Sequence, residues 1–267
     1  MSARGGCRFA DRGRGDGQAA SGSRFEFGEN WQRFIAVVDI GSGSGLFSLA
    51  CTRLGAERVH SLDFDLQSVA CTSELRRRYC AGNPNWTVEA GDVLDPAYLR
   101  SLGDFDLVYS WGVLHHSGDM WAAFENIDPL VRPDGLLYIS IYNDQGRRSR
   151  VWRKIKLTYN ALPPALQLPF AIAVMAPREA SSAALALAAG RPASYVRAWT
   201  EYKRERGMSR LHDLVDWVGG YPFEVAKPEE VFSFYRDRGY SLVRLKTCGG
   251  GLGCNEYLLR KDARPAG

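Results

Sequence analysis

From Phe34 onward, short runs of β-branched and apolar residues alternate with stretches whose apolar positions recur every three or four residues. That alternation predicts a parallel sheet flanked by helices. Strands are expected over 35–40, 58–62, 86–90, 105–110 and 136–141. The first helix should bury Leu46, Leu49, Ala50 and Leu54, and a second, over about 66–80, Val69, Ala70 and Tyr79. A third opens at Asp119, a suitable N-cap, and turns Trp121, Phe124, Ile127 and Leu130 inward. Arg132-Pro-Asp-Gly135 reads as a turn ahead of the fifth strand.

Residues 142–227 interrupt this rhythm. They begin with a basic run (Arg147, Arg148, Arg150, Arg153, Lys154, Lys156) and continue into a charge-free stretch carrying Pro163, Pro164, Pro169 and Pro177. Those prolines and Asn160 argue against a membrane-spanning helix. An aromatic stripe, Tyr195, Trp199 and Tyr202, follows at helical spacing. The α/β pattern resumes at Pro228-Glu229-Glu230, a helix start whose stripe is Val231, Phe234 and Tyr235 and which Gly239 stops. Two last strands are expected over 240–246 and 255–260.

Composition changes little in this picture. The 267 residues are 45% hydrophobic and 24% charged, ordinary usage for a globular chain. Of the formal charge of +4, residues 1–24 carry +3, and the remaining +1 is too little for a globally basic nucleic-acid binder. The same 24 residues are Gly- and Arg-rich, so they are expected to be a disordered tail without the apolar core of a signal peptide. Cys7, Cys51, Cys71, Cys80, Cys248 and Cys254 form no C-x-x-C pair, and they are expected to be reduced thiols in a cytoplasmic protein. No metal site is expected.

The chemistry concentrates where strands end. The first strand runs into Asp39-Ile-Gly41-Ser-Gly43-Ser-Gly45 and opens a helix, a loop that lets a ligand approach the backbone. Asp63, ending the second strand, can accept two ribose hydroxyls, and Asp92 with Val93 suits an adenine ring. A dinucleotide fingerprint requires glycine at position 46, where Leu46 stands. Asp39 would repel a pyrophosphate but attract an ammonium, so the spacing favours a cofactor with a cationic amino-acid group and no phosphate.

These segments, with Phe105-Asp-Leu-Val-Tyr-Ser-Trp111-Gly-Val-Leu-His-His116 and Leu130-Val-Arg-Pro-Asp-Gly-Leu-Leu137, resemble the ordered motifs of class I S-adenosylmethionine-dependent methyltransferases. Within that family the resemblance is to the small-molecule subgroup typified by ubiquinone and menaquinone methyltransferases. It implies a Rossmann-like, doubly wound α/β sheet of seven strands with the last antiparallel, formed by 25–141 and 228–262; residues 142–227, which break the rhythm and begin where the fifth strand ends, are expected to fold as a helical cap insertion. The resemblance further implies S-adenosyl-L-methionine bound by Asp39, Gly41, Ser42, Gly43, Gly45, Asp63, Phe64, Asp92, Val93 and Trp111.

Methyl transfer is an in-line displacement that asks for alignment and a dry pocket, helped by a base when the acceptor is a hydroxyl. His115, His116 and Glu224 are the candidate bases, and Tyr142 and Asn143 the candidate acceptor contacts. The expected activity is methylation of a small molecule, chiefly at oxygen of a phenol, quinone precursor, polyketide or glycan. The alternatives are an RNA methyltransferase and an inactive cofactor-binding protein whose lid is truncated before the first strand. Residues 147–176 suit peripheral contact with lipid, and a homodimer interface is the other home for the apolar insertion.

Overall fold

The structure, a computed structural model, describes residues 36–202, 204 and 209–263. The tail at 1–24, Cys7 and the segment leading into the first strand lie outside the described residues. Two compact units are formed, one within Met1–Asn143 and Ala226–Gly267, the other Asp144–Val225.

The first unit is a seven-stranded sheet. Strands β1 (Ala36–Ile40), β2 (Arg58–Asp63), β3 (Trp86–Ala90), β4 (Phe105–Trp111) and β5 (Val131–Tyr142) are parallel. Strand β7 (Cys254–Lys261) runs antiparallel to both β5 and β6 (Tyr240–Lys246), and the order across the sheet is β3-β2-β1-β4-β5-β7-β6. The order reverses between β1 and β4, and open α/β sheets bind ligands outside the strand ends at such a switch.

Successive side chains of β1 go to opposite faces. Val37 joins Leu49, Cys51, Val59, Trp86 and Leu107 on one side. Val38 and Ile40 join a larger cluster with Leu62, Phe124, Ile127 and Leu137 on the other. Both clusters are buried, so the sheet is covered on both faces, as a parallel sheet requires.

Helix α1 (Leu46–Arg53) faces the sheet differently from the sequence expectation: Ser48, Leu49 and Cys51 are buried, while Ala50 is exposed and Leu46 and Leu54 are 64% and 46% exposed. Its rotation is fixed by Ser48, whose hydroxyl must reach Asp39 on β1. Helix α2 (Leu66–Tyr79) likewise buries Thr72, leaving Val69 partly covered and Ala70 and Tyr79 exposed. Helix α3 (Pro96–Ser101), not anticipated from the apolar pattern, is set by an Asp95 cap with proline at its first position. Helix α4 (Met120–Ile127) starts as read, with Asp119 accepting from the Ala122 amide, but Trp121 stays 37% exposed and Met120 takes the buried place.

The supposed turn at 132–135 is part of β5. Phe105 pairs with Val131 and Leu107 with Leu136, so β5 bulges between those pairs, with Asp134 at φ 61°. Arg132 returns from the bulge to form an ion pair with the buried Asp106. Helix α9 (Pro228–Arg236), named here for its place after the four helices of the second unit, buries Val231 and Tyr235 and ends before Gly239 at φ 77°. Its Glu230 carboxylate accepts from the Lys227 amide at 2.8 Å.

The second unit is helical: α5 (Arg147–Ala161), α6 (Pro164–Ala188), α7 (Pro192–Thr200) and α8 (Arg210–Gly219). Its core joins Ala171 and Met175 of α6 to Val218, Leu214 and Val215 of α8 and to Trp152, Ile155 and Tyr159 of α5. Pro169 and Pro177 lie inside α6 without interrupting it, and by length and composition alone the helix is long and apolar enough to cross a membrane, with 11% of that apolar window buried. The aromatic stripe closes around a cation. Arg210 lies 5.9, 5.0 and 5.7 Å from the ring centres of Tyr195, Trp199 and Tyr202 and makes two bonds to Glu179, at 2.9 and 3.0 Å.

Candidate functional site

The loop between β1 and α1 is built by its glycines in two different ways. Gly41, Gly43 and Gly45 all have left-handed backbone, at φ 76°, 54° and 75°. A methyl group on Gly41 would run into Val113, and one on Gly45 would come within 2.8 Å of the Thr72 side chain. At Gly43 a methyl group would meet nothing within 4 Å. The outer glycines therefore serve packing, whereas the middle one opens onto the space outside the strand ends. Gly112, at φ 75° after β4 and equally open, lies across the topological switch from it.

Hydrogen bonds hold the loop's shape. The Gly41 and Ser42 amides donate to the Leu62 carbonyl at 2.8 and 3.1 Å, which ties the loop to the end of β2. Thr72 donates to the Gly43 carbonyl at 3.0 Å, and its hydroxyl lies 3.2 Å from that of Ser42. Asp63 accepts from the Gly43 amide at 2.9 Å through one oxygen and from the Asp65 amide at 2.9 Å through the other. A carboxylate has about four acceptor positions, so each oxygen keeps a lone pair for an incoming hydroxyl. Phe64, next to it, is 78% exposed.

Asp92 and Val93 follow β3. The Asp92 carboxylate accepts from the Leu94 amide at 2.8 Å, and Asn126 donates to the Val93 carbonyl at 3.1 Å. Val93 is buried. Trp111, ending β4, is 51% exposed at the same edge. Asp39, Ser42, Gly43, Asp63 and Trp111 thus meet at the carboxyl ends of β1, β2 and β4, with Asp92 just beyond β3.

Asp39, expected to face an ammonium group, is 1% exposed. Trp86 Nε1 donates to Ser61 at 2.8 Å, the Ser61 and Ser48 hydroxyls are 2.6 Å apart, and Ser48 donates to Asp39 at 2.6 Å. This buried relay makes Asp39 a positioning residue for the loop. Burial pushes its carboxyl up to about 7, against the lowering effect of the Ser48 bonds.

His115 and His116 occupy a short 3-10 turn after β4 and take different environments. His115 is fully buried, its ring 3.9 Å from that of Tyr142 and 4.5 Å from that of His116. His116 is only half-buried. Asn143 leaves β5 and is held by Asn255, whose amide donates to it at 3.1 Å. Glu224 stands in the second unit, where it lines a cavity of about 470 Å³ with Asp144, Ser149, Arg150, Arg153 and Phe223. The Cys248 thiol donates to the Gly251 carbonyl at 3.2 Å, and no group of three potential metal ligands occurs among the described residues.

Thr72, Ser48, Val113 and Asn126 were missed by sequence reasoning. Thr72 is a small hydroxyl residue on a helix face otherwise read as apolar, and that misfit was the available signal; Ser48 lies off the face read through Leu46, Leu49, Ala50 and Leu54 and gave none. Val113 and Asn126 gave none, since only the crossing of chain segments brings them to the loop and to Val93.

Residues 38–137 match the family described as "Methyltransferase domain". Ribosomal protein L11 methyltransferase from Methylococcus capsulatus is 37% identical over 71 residues, 27% of this chain and 21% of that protein. Among solved structures, an O-methyltransferase family protein from Burkholderia thailandensis aligns over 88% of this chain and 53% of its own, with 15% identity and TM-score 0.52. PKMT2 from Rickettsia typhi aligns over 87% and 51%, with 14% identity and TM-score 0.55. The chain therefore spans about a fifth of the curated relative and about half of each structure. At these identities the structures establish a shared fold.

Proposed function

We propose that the chain is a class I S-adenosylmethionine-dependent methyltransferase, a reading supported by the match of residues 38–137 to the methyltransferase-domain family, and that it methylates a small-molecule acceptor at oxygen. The observation that carries the cofactor half is the loop around Gly43, open above and held from below by Thr72 and Asp63. Asp63 would hold the ribose hydroxyls, the loop backbone the amino-acid end, and Phe64, Asp92 and Val93 the adenine. The bound cofactor supplies an electrophilic methyl group on a sulfonium. The chain's own work is to orient the acceptor, keep water out and take the acceptor's proton. His116, half-buried beside Tyr142, is the better placed of the two histidines for that proton, because His115 is fully covered.

Within Asp144–Val225 a cavity of about 470 Å³, a small-molecule size, is lined by Arg150, Arg153 and Phe223 together with the carboxylates of Asp144 and Glu224. A second reading, transfer to a protein side chain, is favoured by the name that the curated relatives share. Calorimetry with S-adenosylhomocysteine should show binding that Asp63→Ala reduces at least tenfold, since two hydrogen bonds to a charged acceptor are lost (about 1.5–3 kcal/mol each). Well-folded protein without binding would refute the cofactor assignment. Labelled-methyl assays with phenolic and carboxylate-bearing small molecules beside ribosomal protein then separate the acceptors, and label on protein alone would overturn the small-molecule reading.

A further inference from the structure

Helices α5 and α6 each pack one face on α8 and leave the other free, and both free faces are unusual. Between residues 145 and 178 there are seven basic residues and no acidic one. Lys156 is buried and donates to the Trp217 carbonyl at 2.5 Å, so it belongs to the unit's interior. Arg147, Arg148, Arg150, Arg153 and Lys154 are exposed, and among them stand Val151 and Leu157, 55% and 42% exposed.

The first part of α6 inverts the usual arrangement of a surface helix. Gln167, Phe170, Ala171, Val174 and Met175 form the covered face. On the opposite side lie Leu166, Leu168 and Ile172, 52%, 44% and 54% exposed, with Ala165, Pro169, Ala173 and Ala176. At the pitch of an α-helix these seven residues cover about 160° of arc without a polar side chain. A soluble helix normally turns its polar face to water.

We propose that α5 and the first half of α6 dock on the surface of an anionic phospholipid bilayer. The leucines and isoleucine would enter the headgroup boundary, and Arg147, Arg148 and Lys154 would meet lipid phosphates. Charge selects this occupant. A second copy of the chain would bring the same acid-free basic segment against itself, whereas anionic lipid complements it. The docking is peripheral, because one face of α6 is already committed to the core with α5 and α8 and its far half is tied through Glu179 to Arg210.

The test is co-sedimentation of the full chain with phosphatidylcholine vesicles and with vesicles of phosphatidylcholine and phosphatidylglycerol at about 3:1. Binding should occur only to the anionic vesicles and be released by about 0.5 M salt, which screens charge beyond about one headgroup. Arg147→Ala/Arg148→Ala/Lys154→Ala should weaken it on the order of 100-fold, about fivefold per charge. Leu166→Gln/Leu168→Gln/Ile172→Gln should abolish it with circular dichroism unchanged. Equal binding to neutral vesicles, or no binding to either, would overturn the proposal. So would a dimer in sedimentation equilibrium that the glutamine variant dissociates, since the face would then be covered by a second copy. Retention on membranes through high salt and alkaline carbonate would also overturn it, in favour of a spanning helix. The charge variant changes only exposed positions, so it keeps the result interpretable should the glutamine variant misfold. None of these readouts depends on cofactor binding.

Discussion

Replacing Asp39 by asparagine should change how stability depends on pH, and the size follows from where the carboxylate sits. Burial raises its pKa to about 7 in the folded chain, against an ordinary value of 3.8. The folded state therefore holds a proton between these limits that the unfolded chain has lost. Stability is unaffected below the lower value, falls as pH rises between the two, and carries the whole cost above the upper one. At about 1.36 kcal/mol per pKa unit the full cost is about 4 kcal/mol, of which about 2–3 kcal/mol develops between roughly pH 5 and 8. Asparagine keeps an oxygen to accept from Ser48 but does not titrate. Urea unfolding of both proteins at the two pH values, followed by tryptophan fluorescence, gives the double difference, in which other titrating groups cancel. The wild-type chain should lose about 2–3 kcal/mol more than Asp39→Asn on going to the higher pH. Parallel loss in the two proteins, within about 0.5 kcal/mol, would refute the claim that this carboxylate is buried against its own ionisation.

Three further outcomes are expected. Gly43→Ala should cost only the left-handed strain, about 1–2 kcal/mol, yet lower S-adenosylhomocysteine affinity at least tenfold, whereas Gly41→Ala, which must displace Val113, should chiefly destabilise the fold; thermal melting beside calorimetry distinguishes them. Thr72→Val keeps the shape but removes the bond to the Gly43 carbonyl, so it should lower stability by about 1–2 kcal/mol and loosen cofactor binding several-fold by the same two measurements. Arg210→Met should remove the cation beside the largely covered Glu179 carboxylate, which keeps its bond from the Tyr195 hydroxyl, and cost about 2–4 kcal/mol, while the double variant with Glu179→Gln should recover part of that loss in chemical denaturation.

The sheet, its strand ends and the cofactor loop were legible from the chain because each depends on local signals. The short apolar runs of β1 to β4, the Asp119 cap and the Pro228-Glu-Glu helix start fix their own backbone through sterics and nearby hydrogen bonds. The glycine loop is equally local, since left-handed backbone at three positions requires glycine there. What tertiary structure decided was the direction in which side chains face. Helix α1 turns Ser48 inward because an ionisable Asp39 beneath it needs a donor, and α2 turns Thr72 inward because the loop carbonyl needs one. No periodicity in either helix contains those demands. The same holds for the bulge in β5, which exists because Arg132 must reach Asp106 while Leu136 stays in register with Leu107. The stripe at 195, 199 and 202 was visible as a pattern, but its partner was not. Arg210 lies eight or more residues away in the sequence, and only the folded unit brings a guanidinium among those aromatic faces.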